Sequence, residues 1–233
     1  MNNESDARMA EILQGICRHI ENHSDADQAY DKAGDFAVRM GWGYWRVTTD
    51  YVRDDSFDQE IYIRAIDNPF TVYFDPNSVM PDGSDAETVL ITTVISKDNF
   101  RKMYPNAETE QGFTMRGTGD TNPEWVMKED IRIAEYFYTE RKATKVHLLS
   151  DGSSVKSDDL PPQDVLDMAG ITIVETRNSF EKKIKWCKLT SMEVLEEGEW
   201  AGKYIPIVPV FGQETVVENK KKKFGIVRMA KDP

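Results

Sequence analysis

The sequence predicts an α+β fold, an N-terminal helical hairpin followed by a mostly antiparallel, β-rich body with short helices. Apolar residues recur at helical spacing up to about residue 40. From Gly43 onward they recur at every second position, in runs bounded by turn residues. The first two of these runs flank the polar turn Arg53-Asp54-Asp55-Ser56, a hairpin signature.

Met9, Ile12, Leu13, Ile16 and Ile20 form one helical stripe, with Ser5 and Asp6 as expected caps, over about Glu4 to Asn22. A second helix is expected after Ser24 and Asp25, with Ala29, Ala33, Phe36, Ala37 and Met40 inward and Gly41 just past its end. Strands are expected at Tyr44 to Tyr51, Glu60 to Ile66, Thr71 to Phe74 and Thr88 to Ile95. A short helix capped by Ser96 is expected over Lys97 to Met103. Residues 106–122 read as a long polar surface loop. Beyond it, strands are expected at Ile131 to Thr139 and Lys145 to Leu149, joined by a charged turn. A helix from Pro162 to Ala169 ends at Gly170, and strands follow at Ile171 to Arg177 and Ile184 to Met192. Pro206 and Pro209 limit Ile205 to Phe211 to an edge or irregular strand, since proline donates nothing to a ladder. The expected units are residues 1–42, the hairpin, and 43–233, the β-rich body, divided near 106–125 by the loop.

A chain of 233 residues is long enough to bury a substantial core without staples. Cys17 and Cys187 lie far apart and are expected to be packing residues in a reducing compartment. No apolar run approaches the roughly 20 residues of a membrane helix, so no membrane partner is expected. The net charge of -12 argues against a free-standing DNA binder. It is unevenly placed: from Thr176 onward there are 12 Lys and Arg against 8 Asp and Glu, a net of +4, leaving -16 for the first 175 residues.

Catalytic and cofactor signatures are weak. His19 and His23 lie one helical turn apart, as on a zinc helix, but Ile20 stands where such a helix needs Glu. His147 has no nucleophile beside it in sequence. The glycines 112, 117 and 119 lack the Lys-Ser/Thr of a phosphate loop. The oxygen-rich stretch Asp75 to Asp85 fits either calcium or an ordinary turn. Lys220, Lys221, Lys222 and Lys223 form the only basic run, which by itself suggests a solvated turn and, as a candidate, a nucleic-acid or assembly contact. No catalytic residue, metal or cofactor is assigned. The residues alone leave three readings open: a non-catalytic assembly module, a calcium- or glycan-binding β-rich adhesion domain, and a metal-dependent hydrolase using His19 and His23.

Several segments, in order, resemble portal proteins of short-tailed, double-stranded-DNA bacteriophages. They are the passage from Ala26 to Asp50 with its Gly41-Trp-Gly-Tyr-Trp-Arg46, then Ile66 to Ser78, Ser84-Asp-Ala86 and Ile131 to Phe137. Tyr204-Ile-Pro-Ile-Val-Pro-Val-Phe-Gly212 and Phe224-Gly-Ile-Val-Arg-Met-Ala-Lys-Asp232 are the most specific.

The resemblance implies a structural subunit of a ring, usually of twelve copies, at one capsid vertex, through which DNA is packaged and ejected. Implied partners are the subunit itself, terminase, scaffold, coat and tail-adaptor proteins, and double-stranded DNA through the assembled channel. The implied location is the virion, with assembly in the host cytoplasm. By analogy the chain covers the wing and stops before the stem helix. Ring contacts in the family are spread over stem and clip as well as the wing, which implies that this chain alone is monomeric.

Overall fold

A computed structural model describes residues 3–107, 130–218 and 220–230. Helix α1 (Asn3–His23) is followed after one tight corner by α2 (Ala26–Met40). Ser5 and Asp6, expected as caps, instead lie within the first two turns of α1. At the corner Asp25 takes a left-handed conformation (φ 49°), and its side chain makes no cap hydrogen bond. The Ser24 hydroxyl accepts the Ile63 amide at 3.0 Å, so it ties the corner to a strand rather than capping α2. The two helices follow one another as expected, and most of α1 lies away from the core. Residues 7–19 are all exposed, and α1 meets the body through Ile20, Glu21 and His23. Cys17, expected to be buried, is exposed on this overhang.

Helix α2 buries Ala26, Ala29, Ala33 and Ala37, spaced three, four and four apart, which leaves one face nearly free of side-chain bulk. That face lies on a three-stranded sheet of order β2-β1-β9, formed by β1 (Trp42–Tyr51), β2 (Gln59–Ala65) and β9 (Ile207–Phe211). As the prolines require, β9 is an edge strand, with Pro209 opposite Tyr44. Gly41 (φ 103°) ends α2, donating to the Ala37 carbonyl at 3.0 Å.

The other face of this sheet packs on a larger antiparallel sheet of order β3-β4-β5-β7-β8, with β6 added to β5. Its strands are β3 (Val72–Phe74), β4 (Thr88–Ser96), β5 (Asp130–Leu149), β6 (Ser154–Lys156), β7 (Ile173–Leu189) and β8 (Val194–Trp200). Tyr44, Ile66, Val72, Val89, Ile91, Phe137, Ile184 and Ile207 form the core between the sheets. Helix α3 (Lys97–Met103) begins at Ser96, whose hydroxyl accepts the Asn99 amide at 3.4 Å, and seats Phe100, fully buried, on Ile131 and Ile133. The expected split of each long strand is incorrect. Residues 130–149 and 173–189 are each continuous, paired from Ala134↔Leu189 to Leu149↔Ile173. Their outer halves form a ribbon closed by α4 (Gln163–Met168), with Leu149 and Leu166 buried at its end. The loop expected over 106–122 falls almost wholly outside the described residues.

The chain then makes a hairpin of β10 (Gln213–Val217) and β11 (Lys220–Phe224) and a turn of helix, α5 (Ile226–Met229). This hairpin meets the C-terminal half of α2 backbone to backbone. A Cβ on Gly43 would collide with the Ala33 carbonyl, one on Gly212 with Ala37, one on Gly225 with Arg39, and one on Gly41 with Phe224, each nearer than 3.0 Å. The Gly212 amide donates to the Gly41 carbonyl at 2.9 Å across the seam.

Gly43→Ala is expected to destabilise the chain by about 2 kcal/mol or more, because the colliding atom is backbone and cannot step aside. Gly34→Ala, on the same helix with open space around it, should instead stabilise by about 0.5–1 kcal/mol. Urea unfolding of both variants checks the contrast.

Candidate assembly surfaces

The four predicted contact residues, Lys220, Lys221, Lys222 and Lys223, all lie in β11. The expectation of a turn is corrected: the run pairs in register with Val217, Val216, Thr215 and Glu214 of β10. Alternation along the strand puts Lys222 and Lys223 on opposite faces. Lys222 is exposed, while the Lys223 ammonium sits 2.9 Å from the centroid of the Phe211 ring, a cation–π contact. One face of the lysine strand therefore braces the glycine seam.

The Asp75–Asp85 stretch commits its carboxylates to the chain itself. Asp75 accepts the amides of Asn77 and Glu87, each at 2.8 Å. Asp85 accepts the Ser78 hydroxyl and the Val79 amide, both at 2.6 Å. Those bonds, the hydroxyl first and then the amide, hold the Asp85 carboxyl down at about 2. The stretch is a self-satisfied turn, which accounts for its composition without calcium.

His19 and His23 stack with ring centroids 5.9 Å apart. His23 Nε2 lies 3.1 Å from Glu60 Oε2 and 3.2 Å from Tyr62 Oη. Among the described residues, no group of three or more His, Cys, Asp and Glu side chains is arranged to hold a metal. His147 is held by Thr176 and Ser157 hydroxyls, each at 2.8 Å from one ring nitrogen. Cys187 is half-buried, and burial pushes its thiol up, with Glu197 adding to the shift.

A cleft of about 640 Å³ opens where the two sheets splay apart, lined by Arg46, Glu135, Phe137, Trp186, Lys188 and Trp200 among others. Arg46 Nη2 donates to Glu135 Oε2 at 2.8 Å, with each side chain 24% exposed. The Nε of Arg46 and the hydroxyl of Thr48 are buried without a hydrogen-bond partner among the described residues. This pair links the facing sheets at the cleft floor, and Lys188 lies over the Trp186 ring at 5.8 Å. Only alternation along each strand hinted at these residues, because they come from β1, β5, β7 and β8, distant in sequence.

The chain matches the family model described as phage P22-like portal protein over residues 2–233. It is similar to a curated relative, "Portal protein" of Acyrthosiphon pisum secondary endosymbiont phage 1, at 25% identity over 237 residues. The match covers 96% of this chain and 32% of the relative, so the chain spans about a third of that relative's length.

Glu135→Ala strands a part-buried guanidinium and is expected to cost about 2 kcal/mol. The Arg46→Ala/Glu135→Ala pair should cost less than the sum of the singles, as a double-mutant cycle by urea unfolding would show. The depressed Asp85 carboxyl stabilises its turn fully above its ordinary value of 3.8, and that support is lost as pH falls toward about 2. Protection of the Val79 and Met80 amides from hydrogen exchange should fall over that window, and Asp85→Ala should abolish the pH dependence.

Proposed function

The chain belongs to the phage P22-like portal protein family, and from that membership we propose that it forms the outer, wing-like body of a portal subunit. Its work there is structural. A rigid three-layer body holds the ring's outer contacts, and DNA packaging, head assembly and DNA ejection are performed by the assembled ring. The observation that carries this reading is the convergence of three motif segments on one seam. Gly41-Trp-Gly43, the Phe211-Gly212 end of β9 and Phe224-Gly225 are distant in sequence, yet all meet the last two turns of α2. Motifs that meet at a buried backbone seam serve the geometry of the body.

The partners in this reading are other copies of the subunit, terminase, scaffold, coat and tail-adaptor proteins, and double-stranded DNA through the channel. The location is the portal vertex of the virion. Lys220–Lys223 serve as an assembly contact beside the seam, with Lys223 bracing Phe211. Among the described residues no helix is long and apolar enough to cross a membrane.

Electron microscopy of the full-length protein containing this segment tests the reading. The expected result is a closed ring with density fitting the two-sheet body on its outer flank. A ring in which this body lines the central channel, or particles lacking it altogether, would overturn the proposal.

A further inference from the structure

Two surfaces of this chain carry opposite charge and an exposed aromatic ring, and neither is covered by the other described residues. The first is the tip of the β1–β2 hairpin. Between positions 50 and 60 it holds Asp50, Asp54, Asp55, Asp58 and Glu60 against Arg53. Asp50 pairs with Arg64, Asp55 with Arg53 and Glu60 with His23, which leaves Asp54 and Asp58 without a cation among the described residues. Phe57 at this tip is 95% exposed, and Tyr51 beside it is 53% exposed.

The second surface is one face of the outer β5–β7 ribbon. Strand register puts Arg141, Ala143, Lys145 and His147 of β5 on the same face as Lys182, Phe180, Asn178 and Thr176 of β7. The strand positions of this face carry three cations and no carboxylate of their own, the Glu87 carboxylate reaching only Arg141 at one end, and Phe180 in the middle is 71% exposed. On the opposite face most charges are taken up in ion pairs, Lys185 with Glu140, Lys142 with Asp158, Lys156 with Glu181 and Lys183 with Glu199, and the cation Arg177 stands beside the carboxylate-bearing Glu175 near the outer end. On the cationic face Arg141 is paired with Glu87 and Lys182 lies 5.9 Å from the Tyr204 ring, while Lys145 has no partner among the described residues.

We infer that the acidic, Phe57-bearing hairpin tip of one copy docks on the cationic, Phe180-bearing ribbon face of a second copy. At a net charge of -12 two copies repel each other overall, so association needs a local match of opposite sign. The ribbon face offers that match, with an exposed aromatic ring among its cations. The two surfaces are different parts of the same chain, so the contact is head-to-tail, the type that closes into a ring when its rotation permits. The contact rests on the portal-ring reading for its biological setting, and its chemistry stands on the two surfaces themselves.

The test is paramagnetic relaxation between copies. A nitroxide is placed on Arg53→Cys, in a Cys17→Ser/Cys187→Ser background, and mixed with an isotope-labelled chain of unaltered sequence at low ionic strength. Signal losses are expected at amides 141–147 and 176–182, and they should fade as salt screens the match. Lys145→Glu/Lys182→Glu and Asp54→Lys/Asp58→Lys should each weaken association about tenfold, and mixing the two charge-reversed chains should restore it. Losses absent or confined elsewhere would overturn the contact. So would ribbon signals that respond to duplex DNA and not to a second copy, or charge-reversed chains that fail to rescue each other. If replacing the half-buried Cys187 unfolds the chain, sedimentation of the charge-reversed chains, alone and mixed, decides between the same outcomes with both cysteines in place. Closed rings of the full-length protein alongside a failed charge swap would remove this contact and leave the portal reading intact. Absence of rings with a successful swap would do the reverse.

Discussion

Everything in the body depends on how closely α2 can approach the strands beneath and beside it. The alanine repeat of α2 and Gly41, Gly43, Gly212 and Gly225 bring main chain against main chain, where a single added methyl would strike a carbonyl or another backbone atom. At such separation many weak dispersion contacts accumulate and little side-chain entropy is lost, so small residues suffice where a layer of leucines would hold the helix farther out. The seam also gathers the chain. It joins the second helix, the first strand, the edge strand β9 and the last hairpin, elements separated by up to nearly two hundred residues.

From that seam the molecule grades outward from apolar to electrostatic cohesion. Between the sheets, the aromatic and branched side chains around Tyr44 exclude water, and burial pushes the Tyr44 hydroxyl up to about 12. At the cleft Arg46 and Glu135 bridge the sheets as a part-buried ion pair, a geometry that fixes relative position more than it adds stability. Beyond Ile184 the ribbon has no second layer, and one of its faces is held by exposed ion pairs of modest worth. The other face carries Arg141, Lys145 and Lys182 around the exposed Phe180, with Glu87 reaching only Arg141.

Much of this was legible in the sequence. Helix and strand periods, the Gly41 stop, the Ser96 cap and the edge character forced on Ile205 to Phe211 by its prolines all have local causes, and each appears near its expected place. The errors share a cause as well. The outer ribbon has solvent on both faces, so Glu140-Arg-Lys142 and Asn178 to Lys183 lack the apolar alternation by which strands are recognised, and each long strand read as two. The lysine run read as a turn because charge masks strand propensity when the partner strand is unknown. That the α1 stripe is exposed was not legible either, since periodicity shows that a face is apolar and not what covers it.

By itself, then, the sequence determined the α+β class, the small-residue positions and the order of motifs that marks the portal family, because these follow from steric and periodic rules acting over a few residues. The tertiary structure alone decided where those positions meet: which glycines face α2, that Arg46 reaches Glu135 89 positions away, that the Asp85 carboxyl is spent on its own turn, and that Arg141, Lys145 and Lys182 share one face of the ribbon. Register and layer packing set these relations. They depend on partners far along the chain, which no local pattern encodes.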